Sequence, residues 1–401
     1  MQSQSSSPGL RDKLPLPLMA AIAALPPLAV DMYLPAFPQI ADNLGTDINT
    51  IQNSLSIFLL GFGLGMLFFG PFSDRYGRRP MALFGLIGFA LSSLFLTLSD
   101  NATMFLLFRF LQGFLGSAAT VNVPAMIRDC YGKDTAKGMS SVMMIMLIAP
   151  LVAPLMGSFA LTLASWQGIF ALLTLYTVVL FLLSWWRLPE TRAELAPGER
   201  RTMFGNYRII LGHRRIWLDL CTYILLALAF FTYLTAASFL YINWYGASAT
   251  LFGVLFAATA ISLIIANFVN VRIVTRVGAR RMMHMGLLLG TLFTLGLLAI
   301  AVTDLGLYWM VAAFFCVTGS LGLAWVNADA LVVIEFPKQA SSASAVIGTL
   351  RFGVGGLAGP LLAWTYDGTP LPVALLMLGC IGGAALLQFL RVLTHHEVNA
   401  A

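Results

Sequence analysis

The sequence predicts an all-helical membrane protein of twelve transmembrane helices in two six-helix pseudo-repeats, with both termini in the cytoplasm. Three observations carry this reading: a composition too poor in charge for a water-facing surface, twelve apolar stretches of spanning length, and basic residues confined to one side of them. Of 401 residues, 59% are hydrophobic and 10% are charged, whereas a soluble globular chain carries roughly 25% charged residues. Lipid must therefore solvate most of the chain. A spanning helix needs about 20 apolar residues, so twelve of them joined by short loops fit this length.

The first six stretches run at about 14–38, 48–71, 80–99, 102–126, 138–163 and 166–187. Six more follow at about 215–241, 248–270, 281–302, 305–334, 342–365 and 369–391. All are read as helices, because lipid offers the backbone amides no other partner. This divides the chain into a disordered cytoplasmic tail at 1–13, a first bundle at 14–187, a cytoplasmic linker at 188–213, a second bundle at 214–392 and a short tail at 393–401. The first stretch follows Arg11 and Lys13 but is long and carries Asp31, so it reads as a spanning helix and not a cleavable leader.

Orientation follows from the basic residues. With the N-terminus inside, the loop between helices 2 and 3 carries Arg75, Arg78 and Arg79, and that between 4 and 5 carries Arg128, Lys133 and Lys137. The linker region holds Arg187, Arg192, Arg200, Arg201, Arg208, Arg214 and Arg215, and loop 8–9 holds Arg272, Arg276, Arg280 and Arg281. Lys338 and Arg391 close later cytoplasmic turns. Of the 23 basic residues, only Arg109 and Arg351 fall in the interior of spanning stretches, and none falls on an outer loop. The outer turns carry acids: Asp42, Asp47, Asp100, Asp304 and Asp367. The net charge of +6 is thus a topology signal, and nucleic acid is not expected as a partner.

The halves repeat. Arg75-Tyr-Gly77-Arg78-Arg79 recurs as Arg276-Val-Gly278-Ala-Arg280, and Ala153-Pro154 as Gly359-Pro360. Parallel six-helix repeats place substrate at the repeat interface near the midplane and move by rocking one half against the other. The cysteines, Cys130, Cys221, Cys316 and Cys380, are scattered small fillers with no metal-ligand spacing. His213, His284, His395 and His396 lie at membrane ends, so no metal is expected. No phosphate-binding glycine loop with a lysine occurs. No cofactor is expected, and the ion gradient is the expected energy source.

Four features carry candidate chemistry. Gly70-Pro-Phe-Ser-Asp74-Arg75-Tyr-Gly77-Arg78-Arg79 joins helices 2 and 3, with Gly77 for a tight turn and Asp74 set among arginines to pair across a mobile seam. Loop 8–9 has Thr275 in place of that acid, which suggests that Asp74 reaches to the second half and not to its own turn. Arg109-Phe-Leu-Gln112-Gly113 puts a guanidinium inside the bilayer, which costs several kcal/mol unless it meets a cavity or a partner. Ala149, Ala153, Pro154 and Gly157 in helix 5 give small residues four apart for close helix contact and a proline bend. Asp31 is the lone acid deep in helix 1, and burial favours its neutral form, as a proton carrier requires. Tyr33, Gln112, Arg351, Asn327, Asp329, Phe230 and Tyr233 are the candidates for a substrate path, while Asp219 reads as interfacial.

The loop 2–3 motif resembles the signature of the major facilitator superfamily, a Gly followed by Asp-Arg-x-Gly-Arg-Arg/Lys, here with Leu83 four residues on. Arg109-x-x-Gln112-Gly113 resembles its Arg-x-x-Gln-Gly motif, and helix 5 its antiporter motif Gly-x-x-x-Gly-Pro-x-x-Gly-Gly. Asp31-Met-Tyr33-Leu-Pro35, Arg128-Asp129, Trp166-Gln167 and Gly348-Thr-Leu-Arg351-Phe-Gly353 resemble the Bcr/CflA drug-resistance subfamily. The resemblance implies a monomeric, multi-pass protein of the bacterial inner membrane. It would be a multidrug antiporter with Asp31 and Arg109 in proton coupling, exporting small amphipathic drugs such as bicyclomycin-like, chloramphenicol-like or sulfonamide-like compounds. The partners expected are a small-molecule drug or metabolite, protons and the lipid bilayer. The alternatives are a proton-coupled carrier for purines, nucleosides or amino acids, a membrane-embedded enzyme, and a passive channel. An enzyme would need a convergent catalytic set, which Asp31, Arg109 and Arg351 do not form.

Overall fold

The structure, a computed structural model, describes residues 14–131, 135–146, 148–192, 212–213, 216–336 and 340–400. The N-terminal tail, most of the linker, Lys133, Arg200, Arg201, Arg208, Arg214, Arg215 and Lys338 lie outside it, as do the side chains of Lys137, His395 and His396. Among the described residues every regular element is helical. Eleven helices are long and apolar enough to cross a membrane, and a shorter apolar helix stands in the fifth place. In chain order, spans 1 to 6 are Leu16–Asn43, Ile48–Tyr76, Arg78–Thr97, Ala102–Tyr131, Ala149–Leu163 and Gln167–Arg187. Spans 7 to 12 are Trp217–Trp244, Ala249–Val277, Ala279–Thr303, Leu307–Val332, Val346–Thr365 and Leu371–Arg391.

The chain divides into two compact units, Met1–Asn206 and Tyr207–Ala401. In the first, span 2 packs on 4, span 3 on both 4 and 6, and span 1 on 5. In the second, span 8 packs on 10, span 9 on both 10 and 12, and span 7 on 11. The same pairs recur six spans later, so the repeat seen in two short motifs extends to the packing of whole helices. Outward faces of both units remain apolar, with exposed residues such as Leu91, Leu163, Leu182, Leu288 and Leu292. Tryptophans stand exposed at span ends: Trp185 and Trp186 closing span 6, Trp217 opening span 7, and Trp309 and Trp364 at the opposite ends of their spans. Amphipathic rings favour the headgroup level.

Helix starts have local causes. Asp47, Asn101 and Ser248 each accept the amide three residues on, at 2.7, 2.8 and 3.2 Å, satisfying one of the free donors of the first turn. The predicted loops 2–3 and 8–9 shrink to single residues. Gly77 (φ 111°, ψ 152°) and Gly278 (φ 90°, ψ 146°) each turn the chain in a conformation that side chains resist, so the helices run to the glycine and resume beyond it.

Three spans predicted as continuous are broken. Span 1 is helical over Leu16–Ala23 and Leu25–Asp31, bends at Met32 and Tyr33, passes through a 3-10 turn at Leu34–Ala36 and resumes over Phe37–Asn43. Pro35 and Pro38 supply no amide to bond back across that bend. The stretch predicted at 138–163 is two helices, Thr135–Met146 and Ala149–Leu163, because Pro150 cannot continue the ladder. Span 11 is interrupted between Gly355 and Ala358. Span 7 stays helical but ends in π geometry at Phe239–Trp244.

Candidate functional site

The break in span 1 places Asp31 at the last residue of a helical segment, buried inside the first unit. Among the described residues, no hydrogen-bond donor or cation lies within bonding distance of its carboxylate. A transmembrane carboxyl normally pairs or faces water, so a buried one at a helix break, with no partner among the described residues, stands apart from the other acids of the chain.

Arg109 of span 4 lies fully buried close by. Its Nη1 donates to the carbonyl of Ala29, two residues before Asp31, at 3.2 Å, and to Gln112 Oε1 at 2.6 Å. Gln112 Nε2 in turn donates to Ser93 Oγ at 2.8 Å. The guanidinium carbon sits 4.1 Å from the centroid of the Tyr33 ring, 4.5 Å from that of Phe58 and 5.9 Å from that of Phe170. Desolvated contacts of this kind are worth about 2 kcal/mol. Among the described residues, Nε and Nη2 find no acceptor at hydrogen-bond geometry, the Tyr33 ring being their nearest polarisable neighbour. Tyr33 OH meets Ser54 Oγ at 3.1 Å. Gly113 explains the next motif position: a Cβ there would stand 3.0 Å from the backbone carbon of Phe58, so spans 2 and 4 meet too closely for a side chain. Gly157 does the same for spans 1 and 5. A Cβ on it would lie 2.7 Å from the carbonyl carbon of Met32, the residue after Asp31. Ala149, Ala153 and Pro154 are buried on the same helix. Three of the four sequence features, Asp31, the Arg109 motif and the helix 5 motif, therefore converge on one place in the first unit.

The motif between spans 2 and 3 forms a second cluster. Buried Arg78 bonds Asp74 at 2.6 Å, Ser73 Oγ at 2.9 Å and Asp129 at 3.4 Å. Ser73 also donates to Asn122. Asp74 thus bonds the fourth residue on within its own turn. Gly70 and Pro71 continue span 2 into the motif. Glu190, beyond span 6, accepts the backbone amides of Arg78 at 3.0 Å and Arg79 at 3.2 Å, capping span 3. Arg79 reaches the carbonyl of Trp185 at 2.6 Å, and Arg192 donates to the carbonyl of Arg75. Sequence reading missed Glu190, since its partners are over a hundred residues away.

In the second unit the expected substrate residues separate. Asn327 is buried and joins span 10 to span 8 through Asn270 Oδ1 at 2.7 Å. Tyr233 is buried, with its hydroxyl 2.6 Å from Thr259 Oγ1 and its ring on Phe256 and Phe314. Both serve as span-to-span contacts, because their polar atoms find partners on neighbouring helices. Tyr33 and Gln112 are likewise fully buried. Phe230, Asp329 and Arg351 keep partial exposure. Asp219, expected at the interface, stands in the first turn of span 7 and is buried in an ion network there. It takes Arg391 at 2.7 Å, Arg280 at 3.3 Å through each of its oxygens, and Gln388 at 3.2 Å. Replacing Asp219 with Asn leaves two arginines uncompensated. The protein should lose about 3 kcal/mol of stability, read as a lower melting temperature in detergent, and an unchanged melt would show that the network contributes nothing.

Among the described residues no group of three or more His, Cys, Asp or Glu residues is placed to hold a metal. Twelve spans in two repeated units, with isolated ionisable groups inside them, define a multi-pass membrane transporter. The family profile of the Major Facilitator Superfamily matches residues 19–360, and the chain belongs to that superfamily. The Bicyclomycin resistance protein homolog of Haemophilus influenzae is 33% identical over 90% of this chain and 92% of the relative. The Chloramphenicol resistance protein of Pseudomonas aeruginosa is 30% identical over 85% of this chain and 80% of the relative. These relatives bear out the Bcr/CflA resemblance. In fold, the chain is similar to the crystal structure of D-xylose-proton symporter, with a TM-score of 0.72 at 13% identity, covering 93% of this chain and 96% of that one. Membership of the superfamily makes the chain a transporter and not an enzyme.

Proposed function

We propose that the protein is a proton-coupled exporter of small amphipathic drugs, working by alternating access in the bacterial inner membrane. The observation that carries this is Asp31, buried where span 1 breaks and without a partner among the described residues. Its neutral form tolerates that site. Arg109 Nη1 holds the carbonyl two residues earlier, so ionisation of Asp31 would disturb a segment that Arg109 ties to span 4. Proton uptake and release would thus remake the contact between spans 1 and 4 and, through Gly157, that between spans 1 and 5. The names of the relatives support drugs as the cargo. The membrane potential supplies about 2.3 kcal/mol per charge per 100 mV.

The test is a proton-flux assay in proteoliposomes carrying an inward-acid pH gradient. Chloramphenicol or bicyclomycin, added outside, should accelerate collapse of the gradient in protein-containing vesicles only. Collapse driven by nucleosides or amino acids and by neither drug would assign the cargo to metabolites. Substrate flux with no proton movement would point to a passive path.

A further inference from the structure

The second unit contains a guanidinium whose surroundings differ from those of Arg109. Arg351 of span 11 is partly exposed, whereas Arg109 is sealed. Its guanidinium carbon lies 4.3 Å from the centroid of the Trp325 ring and 5.2 Å from that of Phe352. Trp325 meets Phe230 edge-on at 5.2 Å and Tyr223 at 5.8 Å, and Phe352 meets Phe231 at 6.0 Å. Spans 7, 10 and 11 thus set aromatic faces around one cation. Asp329 and the Tyr223 hydroxyl lie within its electrostatic reach. Among the described residues no carboxylate is within 4.0 Å of it, and its buried Nε has no acceptor.

A guanidinium carries five donors in a fixed fork that matches a carboxylate. Aromatic faces hold it through its π surface and leave the edge donors free. A cation kept in the membrane interior marks a functional position by default, because burying it is costly. We infer that Arg351 and its aromatic surround form a binding site for the anionic group of a flat, amphipathic aromatic substrate. The oxygens of the anion would take the fork, including Nε, and the ligand ring would lie among Trp325, Phe230 and Phe352. This rests on the exporter reading and adds to its neutral drugs a class of compounds bearing a carboxylate-like charge.

The experiment is equilibrium binding to the full chain in lipid nanodiscs, at neutral pH and with no gradient. The probes are 1-naphthoate, its neutral isostere 1-naphthamide and the cation 1-naphthylmethylammonium. The naphthoate should bind roughly tenfold more tightly than the amide, and the ammonium most weakly. Arg351→Gln should erase the naphthoate preference while leaving amide binding unchanged, and Arg351→Lys should keep part of it. Equal binding of acid and amide by the wild-type chain overturns the proposal, as does tighter binding of the ammonium, which would assign the site to Asp329. An undiminished preference in Arg351→Gln overturns it as well. Selective binding without export in proteoliposomes would count against the exporter reading alone. Export of drugs without acid preference would count against this site alone.

Discussion

Replacing Asp31 with Asn is expected to abolish drug export against a gradient while leaving the protein inserted, folded and able to bind drug. The side chain is buried with no partner among the described residues. An ionised carboxylate in such a place is unfavourable, since nothing replaces the water it loses. Asn keeps the shape and remains neutral, so the substitution fixes the site in an imitation of its protonated form. Stability should therefore be unchanged or slightly raised, in contrast to the loss expected for Asp219→Asn. Coupling should vanish because the substituted group neither takes up nor releases a proton. Drug addition to mutant proteoliposomes should no longer collapse the pH gradient, while drug exchange at equal concentrations persists. A mutant that still collapses the gradient would remove Asp31 from the coupling step.

Sequence reading recovered what depends on local composition. The spans were legible because lipid enforces about 20 apolar residues for each. The inside loops were legible because Arg and Lys sort by side. Asp31 and Arg109 stood out because an ionisable residue in a membrane segment is costly by itself. What was lost depended on distant partners. Asp219 looked interfacial because it lies one turn into span 7, yet Arg280, Gln388 and Arg391, from spans 9 and 12, close over it. Glu190 went unread, because only the fold brings it to the first amides of span 3. The break after Asp31 was hidden because Pro26, Pro27, Pro35 and Pro38 leave several places for a bend, and tertiary packing selects one. Tyr233 and Asn327 were read as lining residues because polarity on a span suggests water, while Thr259 and Asn270 on span 8 satisfy them instead.

Among single-methyl changes, Gly157→Ala should have the largest effect on transport. In span 5 the new Cβ would fall well inside contact with the Met32 carbonyl oxygen, 2.7 Å from its carbon and 3.1 Å from its Cα. Real Cβ atoms essentially never come closer than 3.0 Å to another atom, and every atom met here is backbone, so no flexible side chain can swing away. One helix must move, and the part of span 1 that moves is the bend immediately after Asp31. Overpacking of this kind costs about 1–3 kcal/mol. The functional loss should exceed the stability loss, because Ala29, whose carbonyl holds Arg109, lies three residues before the displaced Met32. Drug efflux in a susceptible host should fall roughly tenfold or more, while the melting temperature drops by only a few degrees. Gly296→Ala in span 9 is the matched control, since a Cβ there meets nothing within 4 Å, and it should export normally. The two substitutions add the same methyl group to a membrane helix, so lipid solvation and helix propensity cancel between them. If Gly157→Ala exports and melts like the control, the tight crossing of spans 1 and 5 does not set the geometry of Asp31.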